Sequence, residues 1–192
     1  MGCFTLPFFK KIIILTTLLF LSMSWAKEIE GVNIPDKIMC GDKELPLSGA
    51  GLRTATFLKV KVFVLALYAQ TPIRKGNGPE LEQRPICVDL TYLKNFDNSD
   101  VDRAWAYQFK ESSEHNYGNL ESDLKKIKSF FGEIKGDRRQ SFILSSESTM
   151  VFENKELKGE ITGKDFQQSF LSIWFGKNPP TEDLKNNLLK GF

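Results

Sequence analysis

SGAGLRTATFLKVKVFVLALYAQ, Ser48 to Gln70, decides the architecture of this chain. A glycine-rich turn, Gly49-Ala50-Gly51-Leu52, is expected to deliver Arg53 to the start of a long apolar strand, Phe57 to Ala69. The two-residue period of a strand puts Leu58, Val60, Val62, Val64, Ala66 and Tyr68 on one face. Phe57, Lys59, Lys61, Phe63, Leu65 and Leu67 take the other. The first half of the strand therefore reads as half-exposed. From Val62 onward both faces are apolar, which requires something packed on each side.

Outward from this strand, the rest of the chain reads as strands, then helices, then strands and helices again. Upstream, Glu28 to Ile34, Lys37 to Cys40 and Glu44 to Leu47 are expected strands, the last two joined by a Gly41-Asp42 turn. Downstream, Thr71 to Arg84 carries Pro72, Gly76, Gly78 and Pro79 and reads as a surface loop. Pro85 to Leu93 then returns as a strand with Ile86, Val88, Leu90 and Tyr92 on one face. From an N-capping Ser99, the residues Val101, Ala104, Trp105, Gln108 and Phe109 form a mostly apolar helical stripe. Leu120, Leu124, Ile127 and Phe131 form a second stripe that ends at Gly132. Strands resume at Ser141 to Ser145, Thr149 to Asn154 and Leu157 to Thr162. A helix from Lys164 to Phe175 stops at Gly176, and another begins at an N-capping Thr181. This order is α+β, a largely antiparallel sheet with helices on one face.

Residues 1 to 26 read as an export signal. Lys10 and Lys11 form a positive n-region, Ile12 to Leu21 an apolar h-region, and Ser24-Trp25-Ala26 a small-residue cleavage site. The apolar run is short for the ~20 residues of a membrane span. Cleavage would leave one domain, residues 27 to 192, with a periplasmic or secreted location and no membrane span. It also removes two lysines, leaving 24 basic against 24 acidic side chains. That balance argues against nucleic acid or an anionic membrane surface as partner. Lys125-Lys126-x-Lys128 and Arg138-Arg139 read as solvated faces. Cys40 and Cys87 would be the only cysteines left, either bridged or buried as free thiols. The single histidine, His115, has no second ligand at helical spacing, so neither a metal nor a cofactor is expected.

The run Gly-Ala-Gly-x-Arg followed by a strand ending Ala-Leu-Tyr resembles the core signature of the chalcone isomerase fold, above all its exported bacterial chalcone isomerase-like branch. A second match is Phe170-Leu171-Ser172-Ile173-Trp174-Phe175-Gly176, with Pro179-Pro180 and a short helix ending Leu188-Leu189-Lys190-Gly191. The resemblance implies an open-faced β-sandwich and a cleft between sheet and helical layer, with Arg53 facing into it. In the plant isomerases the matching arginine polarises the carbonyl of a chalcone. In related non-catalytic members it grips a fatty-acid carboxylate. Both uses rest on a planar, permanently charged fork that binds oxygen pairs.

Carried over residue by residue, the resemblance favours binding. Thr54-Ala55 stands where the enzymes have Gly-Leu, and Phe63 falls where they carry a threonine. Their hydroxylated helical pair corresponds to Ser172-Ile173 or, anchored on Gly176, to Ile173-Trp174. Their catalytic tyrosine has no counterpart in motif, although Tyr92 and Tyr107 lie nearby. The expected function is therefore an exported, non-catalytic binder of a hydrophobic, fatty-acid-like carboxylate. Arg53 and Thr54 would hold the head, and Phe63, Ser172, Ile173 and Trp174 would line the site. Two alternatives stand beside it. One is an intramolecular lyase of the chalcone isomerase type with Arg53 as electrophile. The other is a cell-envelope scaffold without small ligand, in which Asp42, Glu44 or Asp89 pairs with Arg53.

Overall fold

The structure, a computed structural model, describes residues 26–71, 80–112 and 117–191. The expected export signal apart from Ala26, most of the expected loop after Thr71, and His115 lie outside the described residues.

Nine strands and four helices are described. Strands β1 (Lys27–Ile29) and β2 (Val32–Ile34) form a small antiparallel hairpin. The expected single strand from Glu28 is broken because Glu30 and Gly31 both take positive φ, making a tight turn. Strands β3 (Lys37–Cys40), β4 (Lys43–Ala55), β5 (Val60–Tyr68), β6 (Ile86–Tyr92), β7 (Arg139–Leu144), β8 (Ser148–Glu153) and β9 (Glu156–Thr162) form one sheet. Each pairs antiparallel with the next in chain order. Helices α1 (Asn98–Ser112) and α2 (Tyr117–Phe130) sit in the β6–β7 connection, and α3 (Lys164–Phe175) and α4 (Glu182–Lys190) close the described chain. The fold is thus α+β, an antiparallel sheet with its helices on one face.

The two-residue period of β5 sorts the core as the sequence suggests. Phe63, Leu65 and Leu67 pack with the helices, together with Trp105, Phe109, Phe142, Phe166 and Phe170. Val64, Ala66 and Tyr68 face the other way, into a smaller cluster with Ile34, Cys40 and Cys87. Burying each large apolar side chain is worth about 1.5–3 kcal/mol, so the aromatic layer beneath α1 and α3 is the main source of stability. In the smaller cluster Cys40 and Cys87 form a disulfide, with S–S 2.07 Å and Cα–Cα 5.9 Å, tying the end of β3 to β6.

Two features of the central stretch differ from the sequence reading. Gly49-Ala50-Gly51 is not a turn but the middle of the 13-residue β4. Both glycines face α4, and a Cβ built on Gly51 would lie 2.9 Å from Leu184 Cδ1, so they are there to let a helix lie close. The turn comes later. Thr56 and Lys59 have positive φ, and Phe57 and Leu58 are 92% and 70% exposed at the hairpin tip instead of beginning β5.

The basic pair Arg138-Arg139 is also not a solvated face. Arg138 Nη1 lies 3.1 Å from Glu153 Oε1, and Arg139 is ion-paired with the buried Asp89. Thr181 does cap α4, accepting a hydrogen bond from Leu184 N at 3.4 Å. Ser99, by contrast, lies inside α1, which begins at Asn98.

Candidate functional site

Residues 49, 51, 53 and 55 alternate onto one face of β4. The first two are glycines beneath α4, where no side chain fits. Arg53 is the first residue of that row beyond the glycines, and it opens into a cavity of about 290 Å³ between sheet and helices. A β-bulge shapes the floor. Arg53 pairs with Phe63 and Thr54 with Lys61, so Val62 is the extra residue. The bulge explains how the adjacent Val62 and Phe63 both line the cavity. Leu90 and Tyr92 of β6 complete the floor. Val101, Ala104, Trp105 and Gln108 of α1 and Ile173 and Trp174 of α3 form the roof, with Phe96, Asp100 and Pro180 at its margin.

The Phe63 ring packs edge-on against Tyr92 and Trp174, with centroids 5.6 and 5.8 Å away. It is thus a wall of the cavity, and Trp174 also meets Phe170 in the core behind it. Arg53, Phe63, Ile173 and Trp174 come together as expected. Thr54 and Ser172 do not line this cavity. Thr54 falls on the opposite face of β4, and Ser172 Oγ donates to Gln168 O at 2.8 Å on its own helix.

Electrostatically the site is a cation at the mouth of an apolar chamber. Burial lowers the proton affinity of the Arg53 guanidinium, and among the described residues no hydrogen bond or ion pair engages it. Two of the expected internal partners are otherwise placed. Asp89 is paired with Arg139, and Glu44 with Lys37 at 3.3 Å. Asp100, at the cavity margin, is paired with Arg103 of its own helix. On the outer side Arg53, Gln108 and Pro180 also border a polar basin with Tyr107, Glu111, Lys177 and Glu182. Arg53 therefore sits at the neck between an apolar interior and a polar vestibule.

Two polar residues of the wall, Tyr92 and Gln108, were not assigned to the site from the sequence, whereas Trp174 was. Tyr92 is fully buried, and its hydroxyl donates to Gln140 Oε1 at 3.0 Å, away from any ligand role as donor. Burial raises its pKa, with the charge of Glu153 adding to the shift. Gln108 Oε1 and Trp174 Nε1 are buried without a hydrogen-bond partner among the described residues. Gln108 had a signal in the sequence: it is the one amide in an otherwise apolar α1 stripe. Among the described residues no group of His, Cys, Asp and Glu could hold a metal, and no helix is long and apolar enough to cross a membrane.

A cleft between an antiparallel sheet and a helical layer, with an arginine facing it, is what the resemblance to the chalcone isomerase fold implies. The family model described as chalcone isomerase-like matches residues 26–190, and the chain belongs to that family. Among solved structures it is similar to a fatty-acid binding protein of Arabidopsis thaliana, at 15% identity and a TM-score of 0.67. The match covers 85% of this chain and 94% of the plant protein. No curated protein matches the sequence.

Proposed function

We propose that this protein is an exported, non-catalytic binder of a hydrophobic carboxylate of fatty-acid type. The observation that carries the reading is Arg53, a half-buried cation without a partner among the described residues, at the neck of an apolar cavity. A buried charge is costly unless paired, and a carboxylate is the simplest partner that also brings an apolar tail. Each buried methylene contributes about 0.8 kcal/mol, so the tail would supply most of the affinity and the arginine the orientation. The cavity is near the lower end of the ~300–1,000 Å³ range of small-molecule sites.

Two further observations support the reading. The plant protein of similar fold is a fatty-acid binding protein. Tyr92, the only hydroxyl-bearing side chain among the described residues lining the cavity, donates its proton to Gln140, which speaks against an oxyanion site completed by a tyrosine. For export, the support is the sequence pattern of residues 1 to 26 and the Cys40–Cys87 bridge, a linkage that persists in oxidising compartments.

The test is solvent extraction of purified mature protein and of an Arg53→Ala variant, each analysed by mass spectrometry. A stoichiometric acid in the wild type that is missing from the folded variant is the expected result. Equal, substoichiometric extracts from both would remove the carboxylate clamp.

A further inference from the structure

Arg53 accounts for the charge in the cavity, but two other polar groups of the wall are left over. Trp174 is only 3% exposed, packed between Phe63 and Phe170, and its indole Nε1–H has no acceptor among the described residues. Gln108 Oε1, on the facing helix α1, is buried without a donor among the described residues. Most buried polar groups in proteins are hydrogen-bonded, and leaving one unpaired is costly. A plain alkyl chain would seal both groups off from water and satisfy neither. A carboxylate held by Arg53 accepts hydrogen bonds only, so it can serve the indole but never the Gln108 oxygen.

A hydroxyl is the smallest group that donates once and accepts as well, and so meets an acceptor and a donor together. Its position along the ligand also follows. Gln108 lines both the cavity and the outer basin, sharing the neck with Arg53, whereas Trp174 lines the inner cavity alone. The group that joins them therefore belongs just inside the carboxylate and not at the far end of the tail. Of the other polar side chains in this wall, Tyr92 is committed to Gln140 and Asp100 to Arg103.

We infer that the cognate ligand is an acid hydroxylated near its carboxylate, a 2- or 3-hydroxy fatty acid, whose hydroxyl donates to Gln108 Oε1 and accepts from Trp174 Nε1–H. This rests on the carboxylate reading of Arg53 and adds a chemical class to it.

The experiment is calorimetric titration of the delipidated mature protein with four probes: dodecanoic, 2-hydroxydodecanoic, 3-hydroxydodecanoic and 12-hydroxydodecanoic acid. The 2- or 3-hydroxy acid is expected to bind roughly tenfold tighter than dodecanoic acid. The 12-hydroxy acid, which must bury its hydroxyl among apolar side chains, should bind no tighter than the parent. Trp174→Phe and Gln108→Leu should each narrow the difference between hydroxylated and plain acid while retaining Arg53-dependent binding of dodecanoic acid. Arg53-dependent binding of dodecanoic acid without preference for a proximal hydroxyl would overturn this inference and leave the carboxylate reading standing. Failure of all four acids to bind would overturn both. The wild-type series decides the matter even where a variant fails to fold.

Discussion

Gly49 of β4 lies directly against Leu188 of α4: a Cβ built on the glycine would sit 2.8 Å from the Leu188 Cα and closer still to its carbonyl oxygen. Backbone carries this contact on both sides, so no side-chain rotation relieves it. Gly49→Ala should therefore push α4 off the sheet and cost about 1–3 kcal/mol, the usual range for overpacking. A lowered urea midpoint with an unchanged m-value is the expected outcome. Because α4 follows Pro180 at the cavity margin, ligand affinity should fall with it.

The same contact shows what could be read from the chain beforehand. The period of Phe63 to Tyr68 told which residues face the helices, and Ile86, Val88, Leu90 and Tyr92 sorted the same way; Val62, expected on the face of Val64, is instead carried to the helix side by the bulge. Spacing alone could not tell a glycine turn from a glycine strand. The glycines of β4 answer to Leu184 and Leu188, more than 130 residues away along the chain. For the site, Arg53 was legible because a lone charge after a small-residue run stands out. Thr54 was misplaced because alternation carries it to the opposite face, and Ser172 because its hydroxyl turns back onto its own helix. Trp105 and Gln108 were legible as a helical stripe, but not as a cavity roof, since a stripe does not say whether its opposite wall is touching or withdrawn.

Arg53 should cost stability in the free protein. Burial already depresses its proton affinity with no counter-charge among the described residues. Arg53→Met keeps the length and apolar stem of the side chain and removes the charge. The variant is expected to gain on the order of 1 kcal/mol in denaturant stability while losing carboxylate binding. Loss of both stability and binding would instead mean that Arg53 is a structural residue.

The Cys40–Cys87 bridge closes a loop of 47 residues in sequence separation. In the chain-entropy model such a closure is worth about 4 kcal/mol, as an upper value. Replacing both cysteines by alanine should lower the unfolding free energy by up to that amount, read from urea titrations. The aromatic cluster beneath α1 and α3 lies on the other face of the sheet, so the near-ultraviolet signal of Trp105 and Trp174 should persist in the folded variant.

Asp89 and Arg139 form an ion pair across β6 and β7, with the Asp89 side chain 6% and the Arg139 side chain 38% exposed. Burial lowers the proton affinity of Arg139, and the hydrogen bond and charge of Asp89 more than reverse this, so its pKa is raised overall. A base whose folded pKa is raised gives stability that is complete below its unfolded value and lost only as pH rises through the folded one. For an arginine that window lies above ~pH 12, so this term is constant across ordinary buffers. Deleting one partner is a different matter, because it leaves the other charge facing Tyr68, Thr91 and Val64 without compensation. Asp89→Ala should cost about 3 kcal/mol, less whatever Arg139 recovers by turning to solvent. Adding Arg139→Met should restore much of that loss. Urea unfolding of both single variants and the double variant measures the coupling, and additive costs would show that the pair does not act as a unit.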